Sequence, residues 1–275
     1  MDVNFASQQL LFNTVLLEVH DADGQAISTA TSFIMSFRQD EGAEELFLVT
    51  NKHVLEGGFF AYFYMTEIKD GKPIIGKPFV IKTDFIQSRF HGHPDPAIDI
   101  TVYPLSWQLA LIGKSGVKGY FMKVSTEVLA SAEEIEEMDA VKEIIFVGYP
   151  NGLYDTKNYT PIIRSGTTAT PVQLDFCGRP AFLIDASVFP GSSGSPVFSF
   201  ERSFDGDIVD VRLLGIVAEV FTQEDQGSFR VVPAPTQVTP IVEYRHMIDL
   251  GIVLKAHLIT ETMSNWWEKH KQAQR

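Results

Sequence analysis

Apolar stretches too short for helices recur along the chain with turn residues between them. In the first half they fall at 15–19, 32–37, 46–50, 59–65, 78–81 and 98–102. The connecting strings Asp21-Ala22-Asp23-Gly24, Gln39-Asp40-Glu41-Gly42 and Asp70-Gly71-Lys72-Pro73 carry turn chemistry, so this half predicts an all-β unit. Between 106 and 142 the texture changes, and SAEEIEEM, Ser131 to Met138, reads as an acidic helix or linker. Strands resume at 144–148, 160–164, 182–184, 195–200, 211–220 and 228–232, predicting a second β unit. The expected divisions are 1–125, a join at 126–142, a second unit at 143–238 and a helical tail at 239–275.

Within that tail, Thr239-Pro240 places a capping hydroxyl before a proline, and Gly251 supplies a stop, so a helix is predicted over about 240–250. Residues 252–259 are apolar, and 262–274 are polar apart from Met263, Trp266 and Trp267. A final helix is expected there. The Trp pair either packs it on the body or forms an exposed docking patch for a regulatory protein.

Composition narrows the function classes. With 275 residues, 45% hydrophobic and 12% aromatic, the chain can build packed cores for one large or two modest units. Acidic residues outnumber basic ones 35 to 22, for a net charge of −13, and no basic stripe is present, which argues against nucleic acid as a partner. The opening MDVNFASQQLLFNTVLLEVHDADG lacks the features of a signal peptide, and no apolar run reaches about 18 residues, so neither export nor a membrane span is expected. Cys177 is the only cysteine, so no intramolecular disulfide can form and a reducing, cytoplasmic setting suits the chain. Its neighbours Asp175 and Phe176 offer no base for a thiolate, which makes it an ordinary loop or strand residue.

Three strings carry chemistry. FPGSSGSPVF holds Ser193 between Gly191 and Gly194, glycines that permit crowded or left-handed backbone and let the amides of Gly191 and Ser193 converge on an oxyanion. Taken alone it also fits an ordinary Gly/Ser hairpin, with Ser192 and Ser195 as rival hydroxyls. LVTNKHV delivers His53 at the end of an apolar strand, where an imidazole can serve as general base and then acid. AIDITV sets Asp99 among Ala97, Ile98, Ile100 and Val102, where a carboxylate is costly without a partner such as a histidine N–H. Asp95, in HPDP, is the rival acid, placed on an expected exposed loop. His91, His93 and Asp95 fall short of zinc spacing and read as a solvated loop, so no metal or cofactor is expected. The order is His, Asp, Ser, with separations of 46 (99 − 53) and 94 (193 − 99), an order that differs from those of subtilisin and the α/β-hydrolases.

Together these strings resemble the signature blocks of the trypsin-like serine peptidases, especially the disulfide-poor bacterial branch similar to the HtrA catalytic domain. Val147-Gly148-Tyr149-Pro150, Asp185-Ala186 and Leu214-Gly215-Ile216-Val217 follow in matching order, and the likeness spans about residues 10–245. The resemblance implies an all-β, chymotrypsin-like fold of two six-stranded antiparallel β-barrels with C-terminal helices. It implies a cleft with His53 and Asp99 from the first barrel and Ser193 from the second. It also implies a specificity pocket based on Ser187 and walled by Ala218, Glu219 and Val220. Ser187 is not acidic, which argues against Lys or Arg preference, and Val220, where many relatives have Gly, narrows the pocket towards small or medium apolar side chains. Ser192 replaces the Asp of pancreatic-type members, so activation by a freed N-terminus is not expected. Sixteen residues follow Ile259, so no PDZ domain is expected there.

The resulting expectation is a serine endopeptidase acting on peptides through an acyl-enzyme. One alternative is a weakly active, protease-shaped peptide-binding scaffold, because Ser192 and Thr31-Ser32, where relatives usually have glycines, leave room for a malformed oxyanion hole. An esterase of the α/β-hydrolase type is the minor alternative. It would need Asp249 and His257 to serve Ser193, and Ser195 breaks its G-x-S-x-G string.

Overall fold

The computed structural model describes residue 3 and residues 5–38, 44–228 and 241–273, with the backbone alone described at 221–228, 241–248 and 271–273. A short helix, α1 (Ala6–Leu10), leads into β1 (Thr14–His20), β2 (Ala26–Arg38) and β3 (Glu44–Thr50). There follow β4 (Phe60–Lys69), β5 (Lys72–Asp84), α2 (Ile86–Arg89), β6 (His91–Gly92) and β7 (Thr101–Pro104). After α3 (Ser106–Gly113) come the two-residue strands β8 (Gly119–Tyr120) and β9 (Val124–Ser125). These nine strands form one sheet in the order β5-β4-β1-β2-β3-β7-β6, with β8 paired to β4 and β9 to β2.

The middle strands of this sheet are apolar on both faces because both are covered. Along β2, Phe33, Met35 and Phe37 join a core shared with the second half of the chain, whereas Ala30 and Ile34 join a core confined to the first half. β3 divides the same way, with Phe47 and Val49 on the shared side and Leu48 on the other. Period-two alternation thus sorts a continuous apolar run between two cores.

The acidic stretch forms α4 (Ala132–Glu136). Its first turn is closed by a capping box in which Ser131 Oγ accepts from Glu134 N–H at 3.1 Å and Glu134 Oε2 accepts from Ser131 N–H at 2.8 Å. Beyond it, β10 (Glu143–Gly148), β11 (Ile162–Thr168), β12 (Ala181–Asp185), β13 (Pro196–Arg202), β14 (Ile208–Ser228) and β15 (Ile241–Lys255) close a barrel in the order β10-β11-β12-β15-β14-β13. A long helix, α5 (His257–Ala273), ends the described residues.

Two expectations change. Of the two closed barrels implied by the resemblance, hydrogen bonding closes the second. The first follows an open path whose edge strands, β5 and β6, are joined through α2 rather than by a ladder. Ile86 and Phe90, at the two ends of that helical turn, are buried in the first core. Of the helix expected over about 240–250, residues 241–250 are instead part of β15 and Pro240 lies outside the described residues, so the helical tail begins at His257. The barrel needs a sixth strand, and β15 supplies it by pairing with both β12 and β14. Gly251 does not stop a helix; it is a strand position opposite Ile184 where a β-carbon would lie 2.7 Å from Val188 Cγ2. Of the strand expected at 228–232, Ser228 ends β14 and the rest lies outside the described residues.

The Trp pair of α5 is used internally. Met263 is fully buried, Trp266 meets the ring of Phe47 edge-on at 5.1 Å, and Trp267 meets Phe37 at 6.1 Å. The helix therefore clamps β2 and β3 to the barrel that precedes it. Among the described residues no helix is long and apolar enough to cross a membrane.

Candidate active site

His53 lies just beyond β3, in a single 3-10 turn, His53–Leu55, that carries its ring clear of the strand. Asp99 lies just before β7, between the buried Ile98 and Ile100. Ser193 sits in the loop between β12 and β13. The structure brings the three together. His53 N–H donates to Asp99 Oδ1 at 3.0 Å, and His53 Nδ1 lies 2.5 Å from Asp99 Oδ2. On the other side of the ring, Nε2 lies 3.2 Å from Ser193 Oγ. A carboxylate can only accept, so Nδ1 carries the proton and Nε2 is left to accept from the serine hydroxyl.

The hydrogen bond that His53 donates to Asp99 raises the His53 pKa above its ordinary value; burial opposes the rise, and the charges of Asp99, Glu56 and Glu219 add to it. Ser193 Oγ also has the Ala218 carbonyl within 3.4 Å. The rival hydroxyls do not reach His53: Ser192 is buried with its Oγ accepting from Phe189 N–H at 3.3 Å, and Ser195 is fully buried with no hydrogen-bond partner for its Oγ among the described residues. Asp95 is not paired with His53; its Oδ1 takes the Ala97 N–H at 2.9 Å. Asp249, in β15, and His257, at the start of α5, have no hydrogen bond to Ser193 among the described residues.

The loop geometry explains its glycines. Gly191 and Gly194 have φ of +83° and +86°. A β-carbon on Gly194 would fall 1.8 Å from the Thr31 carbonyl oxygen, so only glycine fits. The Pro190 carbonyl accepts from Asn151 N–H at 2.5 Å, which turns the Gly191 N–H of the same planar peptide to the opposite side. Neither the Gly191 nor the Ser193 amide has an acceptor among the described residues.

Thr31, which the sequence offered only as a departure, is what holds this loop. Its Oγ1 donates to Gly191 O at 3.1 Å and accepts from Tyr149 N–H at 2.9 Å, while its N–H donates to Ser193 O at 3.1 Å. Asn51 was also missed; its Nδ2 donates to the Asp99 carbonyl at 2.7 Å. The expected pocket residues are spread over distinct contacts. Ala218 is buried at Ser193, Glu219 is ion-paired with Arg179, and Val220 packs on the barrel core. Ser187 is exposed, and its carbonyl accepts from Arg164, whose guanidinium stacks over Phe189 at 4.7 Å.

The expectation of a solvated His91–Asp95 loop holds for Gly92, Pro94 and Asp95, which are exposed, and fails for His93. His93 is buried, accepting from Asp95 N–H at 3.0 Å through Nδ1 and facing Glu261 through Nε2 at 3.3 Å. The reason is α5, whose Glu261 meets the His93 ring and whose Trp266 and His270 meet the ring of His91. No group of three or more metal-binding side chains occurs among the described residues. Cys177 is exposed in a short turn at φ +54°.

No protein-family model matches the sequence, and neither does any curated protein. Among solved structures the chain is similar to the Rv3671c protease from M. tuberculosis in its active form. That match has 15% identity and a TM-score of 0.48, covering 93% of this chain and 81% of that one. It is also similar to the thermostable serine protease AL20 from an extremophilic microorganism, with 13% identity, a TM-score of 0.46, and coverage of 92% and 95%.

Proposed function

We propose that this chain is a serine endopeptidase with Ser193 as nucleophile, His53 as general base and acid, and Asp99 as the orienting carboxylate. The observation that carries the reading is the single imidazole bonded on one side to a carboxylate, at 2.5 Å, and on the other to a hydroxyl, at 3.2 Å. In this reading Nε2 takes the hydroxyl proton as Oγ attacks the peptide carbonyl. The negative charge then passes to the carbonyl oxygen, where the Gly191 and Ser193 amides receive it; one such donor is worth about a hundred- to a thousandfold in rate. The imidazolium, stabilised by Asp99, returns its proton to the leaving amine. Water, activated by the same Nε2, then releases the acyl group from Ser193. No metal or cofactor enters the scheme.

The two halves of the chain act here as the halves of a chymotrypsin-like cleft, with the open sheet standing as a barrel unsealed at its α2 seam. Ser187 and Val220 favour small or medium apolar side chains at the scissile position, and the single cysteine suits a reducing, cytoplasmic setting. Digestion of a defined peptide library, with product masses read, tests the assignment. Internal cleavage after small apolar residues supports it, and dominant cleavage after Arg or Lys removes the pocket assignment.

One observation favours the peptide-binding scaffold instead. The Ala218 carbonyl, 3.4 Å from Ser193 Oγ, competes with His53 for the same proton. Peptide binding without turnover by folded protein would establish that second reading.

A further inference from the structure

The segment that presents Asp99 is braced from the far end of the chain. His93 N–H pairs with Ile100 O at 2.9 Å, so the residues between them form a closed loop with Asp99 at its exit. Within the loop, Asp95 Oδ1 takes the Ala97 N–H at 2.9 Å and Asp95 O takes the Ile98 N–H at 3.2 Å. Lys52, next to His53, reaches over with Nζ to the carbonyls of His93 and Asp95 at 3.2 and 3.1 Å.

The His93 ring joins this loop to α5. Its Nδ1 accepts from Asp95 N–H, so the ring proton sits on Nε2, which donates to Glu261 Oε2. The ring is 6% exposed and the carboxylate 54%. Glu261 is therefore the acceptor that satisfies a buried donor, across 168 residues of chain. The same helix also seats Trp266 and His270 against His91, two residues before His93, at ring separations of 6.1 and 5.3 Å.

We propose that Glu261 is a positioning residue for the Asp99–His53 pair, acting through His93; the proposal rests on the serine-peptidase reading. The chain of contacts runs from Glu261 to the His93 ring, from there to the Asp95 turn, and along that turn to the Asp99 carboxylate. Glu261 touches neither His53 nor Ser193. Its removal leaves the His93 N–H without its acceptor, loosens the Asp95 turn and lets the carboxylate drift from His53, where a misplacement of about 1 Å can cost a hundredfold in rate.

The test compares full-length protein with Glu261→Ala, Glu261→Gln, His93→Ala and the double alanine variant. Three readouts are taken: amide exchange over 93–99, the His53 ring pKa by NMR, and labelling by a fluorophosphonate across pH. Glu261→Ala is expected to speed exchange in the loop, lower the His53 pKa and slow labelling about tenfold. Glu261→Gln, which keeps an acceptor, restores all three. The two alanine changes together cost no more than His93→Ala alone. Unchanged loop exchange overturns the proposal, and so does faster exchange with the His53 pKa and labelling unmoved. If His93→Ala does not fold, the two Glu261 variants decide. Failure of the parent protein to label would instead sink the peptidase reading, while the His53 pKa would still report the brace.

Discussion

Asp99 grips His53 at two points, taking the backbone N–H on Oδ1 at 3.0 Å and the ring Nδ1–H on Oδ2 at 2.5 Å. The first bond fixes where the residue sits and the second fixes which nitrogen carries the proton. Asp99→Asn keeps the first but can present an amide N–H to the ring, reversing the tautomer. Labelling of Ser193 by a fluorophosphonate is expected to fall about a thousand- to ten-thousandfold. The acid limb of its pH profile is expected to move to lower pH, because the Asp99 hydrogen bond is the largest cause of the raised His53 pKa. An unmoved limb would detach Asp99 from His53.

The same pair has a thermodynamic signature. A His whose folded pKa is raised stabilises the fold fully below the unfolded value of about 6.5, and loses that contribution as pH rises through the folded value. The stability advantage of the parent over His53→Gln should therefore shrink as pH is raised, measured by urea denaturation at several pH values. An advantage that grew with pH would contradict the pairing.

Thr31 ties the first sheet to the Gly/Ser loop. Thr31→Val retains the shape but strands the buried Tyr149 N–H and frees the Gly191 carbonyl. The expected cost is about 1–3 kcal/mol of stability together with slower labelling, whereas Thr31→Ser should retain both. Denaturation midpoints and labelling rates measure the two effects separately.

Gly24 and Gly194 share φ of +86°, yet a β-carbon meets nothing within 4 Å at Gly24 and the Thr31 carbonyl oxygen at 1.8 Å at Gly194. Gly24→Ala should cost about 1–3 kcal/mol for the backbone strain alone. Gly194→Ala should exceed about 4 kcal/mol or prevent folding. Similar losses in thermal denaturation would show that the close approach to Thr31 is not a constraint.

The residues brought together at the site were legible because each is a polar group at or beside the end of a short apolar run, a local signal. His53 follows β3, Asp99 precedes β7, and Ser193 precedes β13. What holds them was not legible. Thr31 meets Gly191 across 160 residues, and His93 meets Glu261 across 168, so neither partner leaves a trace in the sequence near the other. The final barrel strand misled for a different reason. Thr239-Pro240 and Gly251 mimic helix punctuation, while the pairing of β15 with β12 and β14 is a tertiary demand that overrides it. The open seam of the first sheet is equally a matter of assembly, since nothing in residues 85–90 announces a helical turn in place of a ladder.

The most direct measurement is covalent labelling of the purified chain by a fluorophosphonate, with the modified residue located by mass spectrometry. One adduct is expected, on Ser193, abolished in Ser193→Ala and strongly slowed in His53→Ala while both variants keep the parent's circular dichroism. An adduct on another residue, or labelling that persists in folded Ser193→Ala, would contradict the Ser193 assignment.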